Sequence, residues 1–310
     1  MQRRLHTDWQ LQARMAFTML LLAALYLVFA VILYRAGVGI GLMAIILGGL
    51  AIAQYYYSDR LVLATTRARI VTDHELPEVH AMVSRLAAMA NVPKPRVALI
   101  DAPMMNAFAT GRDPAHAVVA VTSGLVRALP AGELEAVLGH EMTHIRNRDM
   151  AVLAFATFFS TIAGYLTQVL FYGSLFGGFG GGFGGGRGRG RNAGASLGVV
   201  LLVSWVVQLV SFFLIMALSR YREYAADRGS ALLTGQPGNL ASALMRISGT
   251  MERIPMQDLR QTQTANAFFI VPAAVGGAGR MEMFQTHPTL EHRLNQLRRI
   301  ELELAGRGMR

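Results

Sequence analysis

Hydrophobic positions along this chain fall into long uninterrupted runs as well as short periodic patches. Met15 to Tyr34 carries no charge; after Arg35 a second uncharged run extends from Ala36 and closes on Tyr55, Tyr56 and Tyr57. A third run spans Ala151 to Phe176 and a fourth Leu197 to Leu218. At about 1.5 Å per residue, each is long enough to cross a hydrocarbon layer of about 30 Å. The tyrosine cluster suits a membrane–water boundary. The first run exceeds the roughly 7–15 apolar residues of a signal peptide, and another run follows at once. The pair therefore predicts a helical hairpin anchor.

Residues 59–149 have a different pattern, with charges, prolines and shorter elements. Pro77 to Met89 reads as an amphipathic helix with Val79, Met82, Val83 and Leu86 on one face. Arg96–Ile100 and Ala117–Thr122 are β-branched runs bounded by Pro, Gly and Asp, which predicts strands. Pro130 opens a helix whose early acids, Glu133 and Glu135, suit its N-terminal dipole. From Ser219 to Arg310 the chain is again polar and helical, with a looser stretch near Val271 to Gly279. The expected fold is mainly α with a small β-sheet, in an α-helical integral membrane protein. Its expected parts are an N-terminal segment and hairpin (1–58), a first polar part (59–150), a second apolar helix pair (151–218) and a second polar part (219–310).

Composition supports that reading. Of 310 residues, 53% are hydrophobic and only 15% charged, with a mean hydropathy of +0.37. Neither an ordinary soluble globule nor a disordered chain has this balance. Cysteine is absent, which excludes disulfides, thiol nucleophiles and cysteine metal sites. A metal would fall to the eight histidines and nineteen acids. The net charge of +10 is almost all arginine, Lys94 being the only lysine. Such a charge suits either nucleic acid or an anionic membrane surface, and position decides between them.

If all four runs cross, one side collects Arg3, Arg4, Arg14, Arg60, Arg67, Arg69, Arg146, Arg148, Arg220, Arg222 and Arg228. The other holds Arg35, Arg187, Arg189 and Arg191. The excess places both termini and the middle segment on the cytoplasmic side of a cell membrane. The three arginines of the Gly/Phe/Arg-rich loop at 177–192 run against it, so the crossing of the last two runs stays open. That loop resembles RNA-binding arginine–glycine tracts, but between two spans it reads as a bland connection. No nucleic-acid partner is expected.

The chemistry concentrates at His140-Glu141-Met142-Thr143-His144. Histidines at i and i+4 on a helix project from one face and can share one metal ion, with the intervening glutamate placed as a general base. Catalytic zinc sites usually have three protein ligands. Glu223 is the candidate third, with Asp227 one turn on. On spacing alone this segment reads equally as an exposed ion-pair helix beside Arg220, Arg222 and Arg228. Asp149 is expected to pair with a nearby arginine or with the chain entering the membrane. His6, His74, His80, His116 and His292 have no partner at ligand spacing and read as structural or surface residues.

Five segments in order, Asn106–Gly111, Val121–Leu125, His140–His144 with Asn147–Asp149, Glu223–Asp227, and Thr286–Pro288 with Arg293, resemble the HtpX family of membrane zinc proteases. These are relatives of the CAAX prenyl endopeptidases within the gluzincin group. The resemblance implies a gluzincin-like protease domain and one Zn²⁺ per chain, held by His140, His144 and Glu223. It further implies Glu141 as catalytic base, Asp227 orienting His140, and removal of damaged membrane proteins as the role. His287 is the candidate oxyanion stabiliser, the alternative being a cap for the helix after Pro288. The strand around Ala117 to Thr122 is expected to pair with a polypeptide substrate, with Asn106, Ala107, Val119, Ala120 and Val121 as contacts. From His144 to Ala151 is about 10 Å if the helix continues, so the site is expected close to the membrane face. The competing readings are a noncatalytic zinc-binding membrane scaffold and, among proteases, a prenyl-peptide endopeptidase. The oligomeric state is not legible.

Overall fold

The computed structural model describes residues 9–35, 59–154, 156–158, 192–251 and 287–308, with isolated helical positions at 49, 52, 56, 160, 161, 164 and 168. The expected second apolar run lies outside the described residues apart from 49, 52 and 56. The Gly/Phe/Arg-rich loop, apart from its last residue Asn192, and the stretch near Val271 lie outside them too.

Two described helices are long and apolar enough to cross a membrane. The first lies in α1 (Trp9–Arg35), and the second in α5 (Asn192–Thr234). Leu22, Tyr26 and Phe29 recur at helical spacing on α1 and pack against Val200, Val207 and Leu218 of α5. Phe17, Leu20 and Leu27 remain exposed, the face such a helix would turn to lipid. Of the third run, Asp149–Phe158 is helical, and Ala156 accepts a hydrogen bond from the Tyr26 hydroxyl (2.8 Å).

The polar part follows its sequence pattern. β1 (Arg69–Ile70), α2 (Pro77–Ala90), β2 (Arg96–Ile100), β3 (Ala107–Thr110), β4 (Val118–Thr122), α3 (Ser123–Ala128) and α4 (Ala131–Arg146) come in that order. After α5 come α6 (Pro237–Met251) and α7 (Leu290–Gly308). Pro77 occupies the first turn of α2, where its missing N–H costs nothing, and Asn91 closes that helix in the left-handed region (φ 56°).

The sheet order is β1-β2-β4-β3, with β2 and β4 parallel and both outer pairs antiparallel. Successive side chains of β4 alternate between two cores. Val119 and Val121 join the main core with α2, α4, α6 and α7 residues, whereas Val118 and Ala120 pack with Val62, Ala98 and Phe108 on the other face. β4 is therefore paired on both edges. Val119, Ala120 and Val121 have no free backbone edge for a substrate, and the expectation that they pair with one is corrected. The edge strands are β1 and β3, and β3 is an element the sequence reading left unassigned. It begins at Ala107, directly after Asn106.

Close packing of α4 on α5 sets the distance between the histidine helix and Glu223. A Cβ on Gly139 would lie 3.1 Å from the Ser230 hydroxyl, and one on Gly229 would overlap Thr143. Ser230 also donates a 2.6 Å hydrogen bond to the Ala136 carbonyl across the pair. Gly229→Ala should destabilise the protein by about 1–3 kcal/mol through overpacking, read as a lower Tm of the detergent-purified chain. Adding Thr143→Ala should recover part of the loss, whereas an unchanged Tm in Gly229→Ala would show that the helices are not held this closely.

Candidate metal centre

Three donors from two helices meet in the interior. His140 and His144, one turn apart on α4, bring their Nε2 atoms to 3.1 Å. Glu223 on α5 places Oε2 3.5 Å from Nε2 of His140 and Oε1 3.5 Å from Nε2 of His144. All three residues are buried and form the one group of three potential donors among the described residues. A tetrahedral ion bonded at about 2.0–2.1 Å needs donor–donor separations of about 3.3–3.4 Å. The observed spacings bracket that value, so the donor set fits such an ion.

The outer nitrogens of both imidazoles are occupied. Asp227 Oδ1 lies 3.0 Å from His140 Nδ1, and Asp149 Oδ2 lies 2.6 Å from His144 Nδ1. A carboxylate at Nδ1 keeps a proton there, so that the imidazole in its neutral form presents the Nε2 lone pair inward. Asp227 is held in turn by Arg293 of α7, whose Nε and Nη2 donate at 2.9 and 2.6 Å. Arg222 Nε stands 3.4 Å from Asp149. Among the described residues, the buried carboxylates Glu141, Asp149, Glu223 and Asp227 thus face two buried guanidiniums, Arg222 and Arg293. With both imidazoles neutral, as metal ligands are, two negative charges are left over, which a divalent cation would balance.

The sequence reading placed Asp149 near an arginine, and Arg222 is there, but it missed the contact with His144. The signal lay just beyond the helix: Asn147 caps α4 and Arg148 turns through the left-handed region (φ 56°), swinging Asp149 back onto the imidazole. Arg293 was named only within a motif, and nothing in its surroundings in sequence points to Asp227. His287 is buried, with Nδ1 3.2 Å from Glu223 Oε2. It does not cap the following helix. The Thr289 hydroxyl accepts from the His292 N–H (3.4 Å), and α7 begins at Leu290.

Charge and burial act on two groups in opposite senses. Burial pushes the His140 imidazole down, but the Asp227 and Glu223 carboxylates outweigh it and raise its pKa to about 9. Burial also raises the Glu141 carboxyl, against the pull of both histidines and a hydrogen bond from the Ala109 N–H. Because Ala109 belongs to β3, that bond sets the candidate base directly against the open strand edge.

Helices that can span a membrane, joined to a buried donor set of this kind, put the molecule among the membrane-anchored metalloproteases. The chain belongs to peptidase family M48, whose profile matches residues 73–301. It is 57% identical to "Protease HtpX homolog" of Moorella thermoacetica over 312 residues, 99% of this chain and 100% of that protein. It is 52% identical to "Protease HtpX homolog 2" of Methanosarcina acetivorans over 306 residues, 98% of this chain and 100% of that one. The crystal structure of S. mikatae Ste24p shares the fold with a TM-score of 0.53 at 19% identity, over 93% of this chain and 66% of that chain.

A metal must displace the proton that His140 holds in the metal-free protein. Metal affinity should therefore climb as pH rises toward about 9. The sign for stability is opposite. With a folded pKa above the ordinary 6.5, this imidazole stabilises the metal-free protein fully below pH 6.5 and progressively less up to about 9. Tm of the metal-free chain should fall across that window, and a Tm that rises there would refute the pairing. Asp149→Asn and Asp227→Asn should each weaken metal binding by about 10–100-fold, measured by competition with a chromophoric chelator.

Proposed function

We propose that this metalloprotease is a zinc endopeptidase acting on polypeptides, chiefly misfolded or damaged membrane proteins, at the cytoplasmic face of a cell membrane. The observation that carries the reading is the three-donor cage at tetrahedral spacing, with Glu141 beside it and tied to the edge of β3. His140, His144 and Glu223 would hold zinc, which when bound supplies a Lewis acid that lowers the pKa of water from about 15.7 toward about 7.

The chain's own residues account for the remaining steps. Asp227 and Asp149 fix the imidazole tautomers, and Arg293 fixes Asp227. Glu141 takes the proton from the attacking water and returns it to the leaving amine. Its raised pKa makes it a better proton acceptor than an exposed glutamate, while the acid it becomes remains strong enough to protonate an amine. His287, against Glu223, is within the same small volume and is the candidate donor to the developing oxyanion.

A substrate segment would add to the free edge of β3. Phe108 and Thr110 stand at the positions that face β4, leaving the backbone groups of Ala107 and the Ala109 carbonyl turned outward, with the Ala109 N–H held by Glu141. Asn106 precedes them, its own carbonyl accepting from Thr122 N–H at 3.0 Å. Main-chain pairing of this kind reads little side-chain identity, which suits cleavage of unfolded segments.

Orientation and role rest on two supports. The arginine excess around the membrane runs favours a multi-pass protein with cytoplasmic catalytic residues, and the similar proteins are themselves named as proteases. The four-part division of the chain, with its two polar parts forming one catalytic unit, belongs to the same proposal.

Glu141→Gln should bind zinc as the wild type does while losing at least about a thousandfold in casein cleavage, the scale expected for a general base combined with water activation. Equal turnover by the two proteins would remove Glu141 from the chemistry. Loss of zinc from the variant would instead make it a structural residue.

A further inference from the structure

A cavity of about 500 Å³ opens between the third apolar segment and α5, away from the metal donors. Its polar lining is Thr157, Ser160, Thr161, Gln168 and Gln208. On the third segment the lining positions 157, 160, 161, 164 and 168 repeat at helical spacing, so one face supplies them all. Gly164 lies opposite Gln208, and a Cβ there would stand 2.9 Å from its amide nitrogen.

This polarity sits within an apolar helix long enough to cross a membrane. Gln208 is at the middle of the Leu197–Leu218 apolar run, and Thr161, Gln168 and Gln208 are exposed rather than packed away. An amide facing hydrocarbon without partners is strongly disfavoured, so such a face calls for a hydrogen-bonding occupant. The lining also says which kind. Its described residues offer neutral donors and acceptors together beside Phe212, Ile215 and Met216, with no arginine, lysine, histidine or acid among them. That set does not complement a phosphate headgroup or a cation. It complements peptide groups, which carry one donor and one acceptor each.

Helix geometry links the cavity to the metal donors. At about 100° per residue, Gln208, Phe212, Ile215, Met216, Ser219 and Glu223 fall within about 100° of one another on α5. The lining and the carboxylate donor thus share one face of one helix, and Gln208 lies about 22 Å from Glu223 along the axis at about 1.5 Å per residue.

We propose that this cavity is an intramembrane binding site for the exposed backbone of an unwound membrane-spanning polypeptide segment, held there on its way to Glu141. The proposal rests on the protease reading above for its direction, but not for the binding itself. The Thr157 and Thr161 hydroxyls already donate to the Leu153 and Thr157 carbonyls (2.8 and 3.0 Å), so a span with a broken helix would find donors for its freed C=O groups in the Gln168 and Gln208 amides and acceptors for its N–H groups in those amides and the hydroxyl oxygens, where lipid would leave them bare. An unbroken helix has no such groups to offer and gains nothing from the site.

The test uses the full chain in liposomes with a photo-crosslinking benzoylphenylalanine at position 212, in the Glu141→Gln background so that bound peptide stays whole. Two synthetic single-span probes are compared, a Leu/Ala helix and the same helix with a central Gly-Pro-Gly. The broken-span peptide should crosslink about tenfold more than its twin, the scale of one or two hydrogen bonds. Gly164→Leu, which fills the cavity, and Gln208→Leu, which removes its amide, should each erase the difference. Equal crosslinking of both probes, crosslinking to lipid alone, or a preference that survives both variants would overturn the proposal. Casein cleavage by the chain with Glu141 intact keeps the two readings apart. Cleavage without selective crosslinking sinks the intramembrane site alone, and selective crosslinking without metal-dependent cleavage sinks the protease reading alone.

Discussion

Two imidazoles can present lone pairs to one ion only if something else holds their outer nitrogens. In this chain that requirement is met by two buried carboxylates, Asp227 at His140 and Asp149 at His144. Much of the surrounding architecture serves to keep those carboxylates charged and in place. Arg293 comes from the last helix, Arg222 from the helix leaving the membrane, and both are buried with their partners. With Glu141 and Glu223 added, the buried carboxylates of the centre outnumber its buried guanidiniums among the described residues, a state tolerable when a divalent ion completes it.

The same constraint ties the centre to the membrane. α5 is one continuous helix from Asn192 to Thr234, so the apolar stretch and Glu223 move as a single body. The chain beyond His144 turns at Arg148, delivers Asp149 to the imidazole and continues as the helical segment Asp149–Phe158. Both donor helices are therefore coupled to segments that are apolar in character. Packing of Gly139 and Gly229 at the α4–α5 crossing keeps the two halves of the donor set within reach of each other.

Much of this was legible in the chain. Long uncharged runs announced α1 and α5, and i, i+4 histidines with an adjacent glutamate announced the donor helix, because both signals are local. Short β-branched runs bounded by Pro, Gly and Asp gave β2 and β4 to within a residue. What escaped was non-local. β3 is only four residues long, Ala-Phe-Ala-Thr, and lacks the β-branched density that marks a strand, so the open edge was assigned to β4 instead. Which strand is interior depends on pairing order, and no single strand's composition encodes that. Asp149 depends on a left-handed turn at Arg148, a non-glycine residue with no turn signature of its own. Arg293 and His287 meet Asp227 and Glu223 across more than sixty positions, and the family resemblance marked them without giving their partners.

The central claim is that His140, His144 and Glu223 form a three-ligand zinc site left open for water. Zinc stoichiometry and zinc-edge X-ray absorption on the purified 310-residue chain test it most directly. The account predicts one zinc per chain with two imidazoles and further oxygen ligands at about 2.0–2.1 Å, and loss of that zinc in Glu223→Ala. A chain that binds no zinc, or one whose zinc stays fully coordinated when Glu223 is removed, would contradict it.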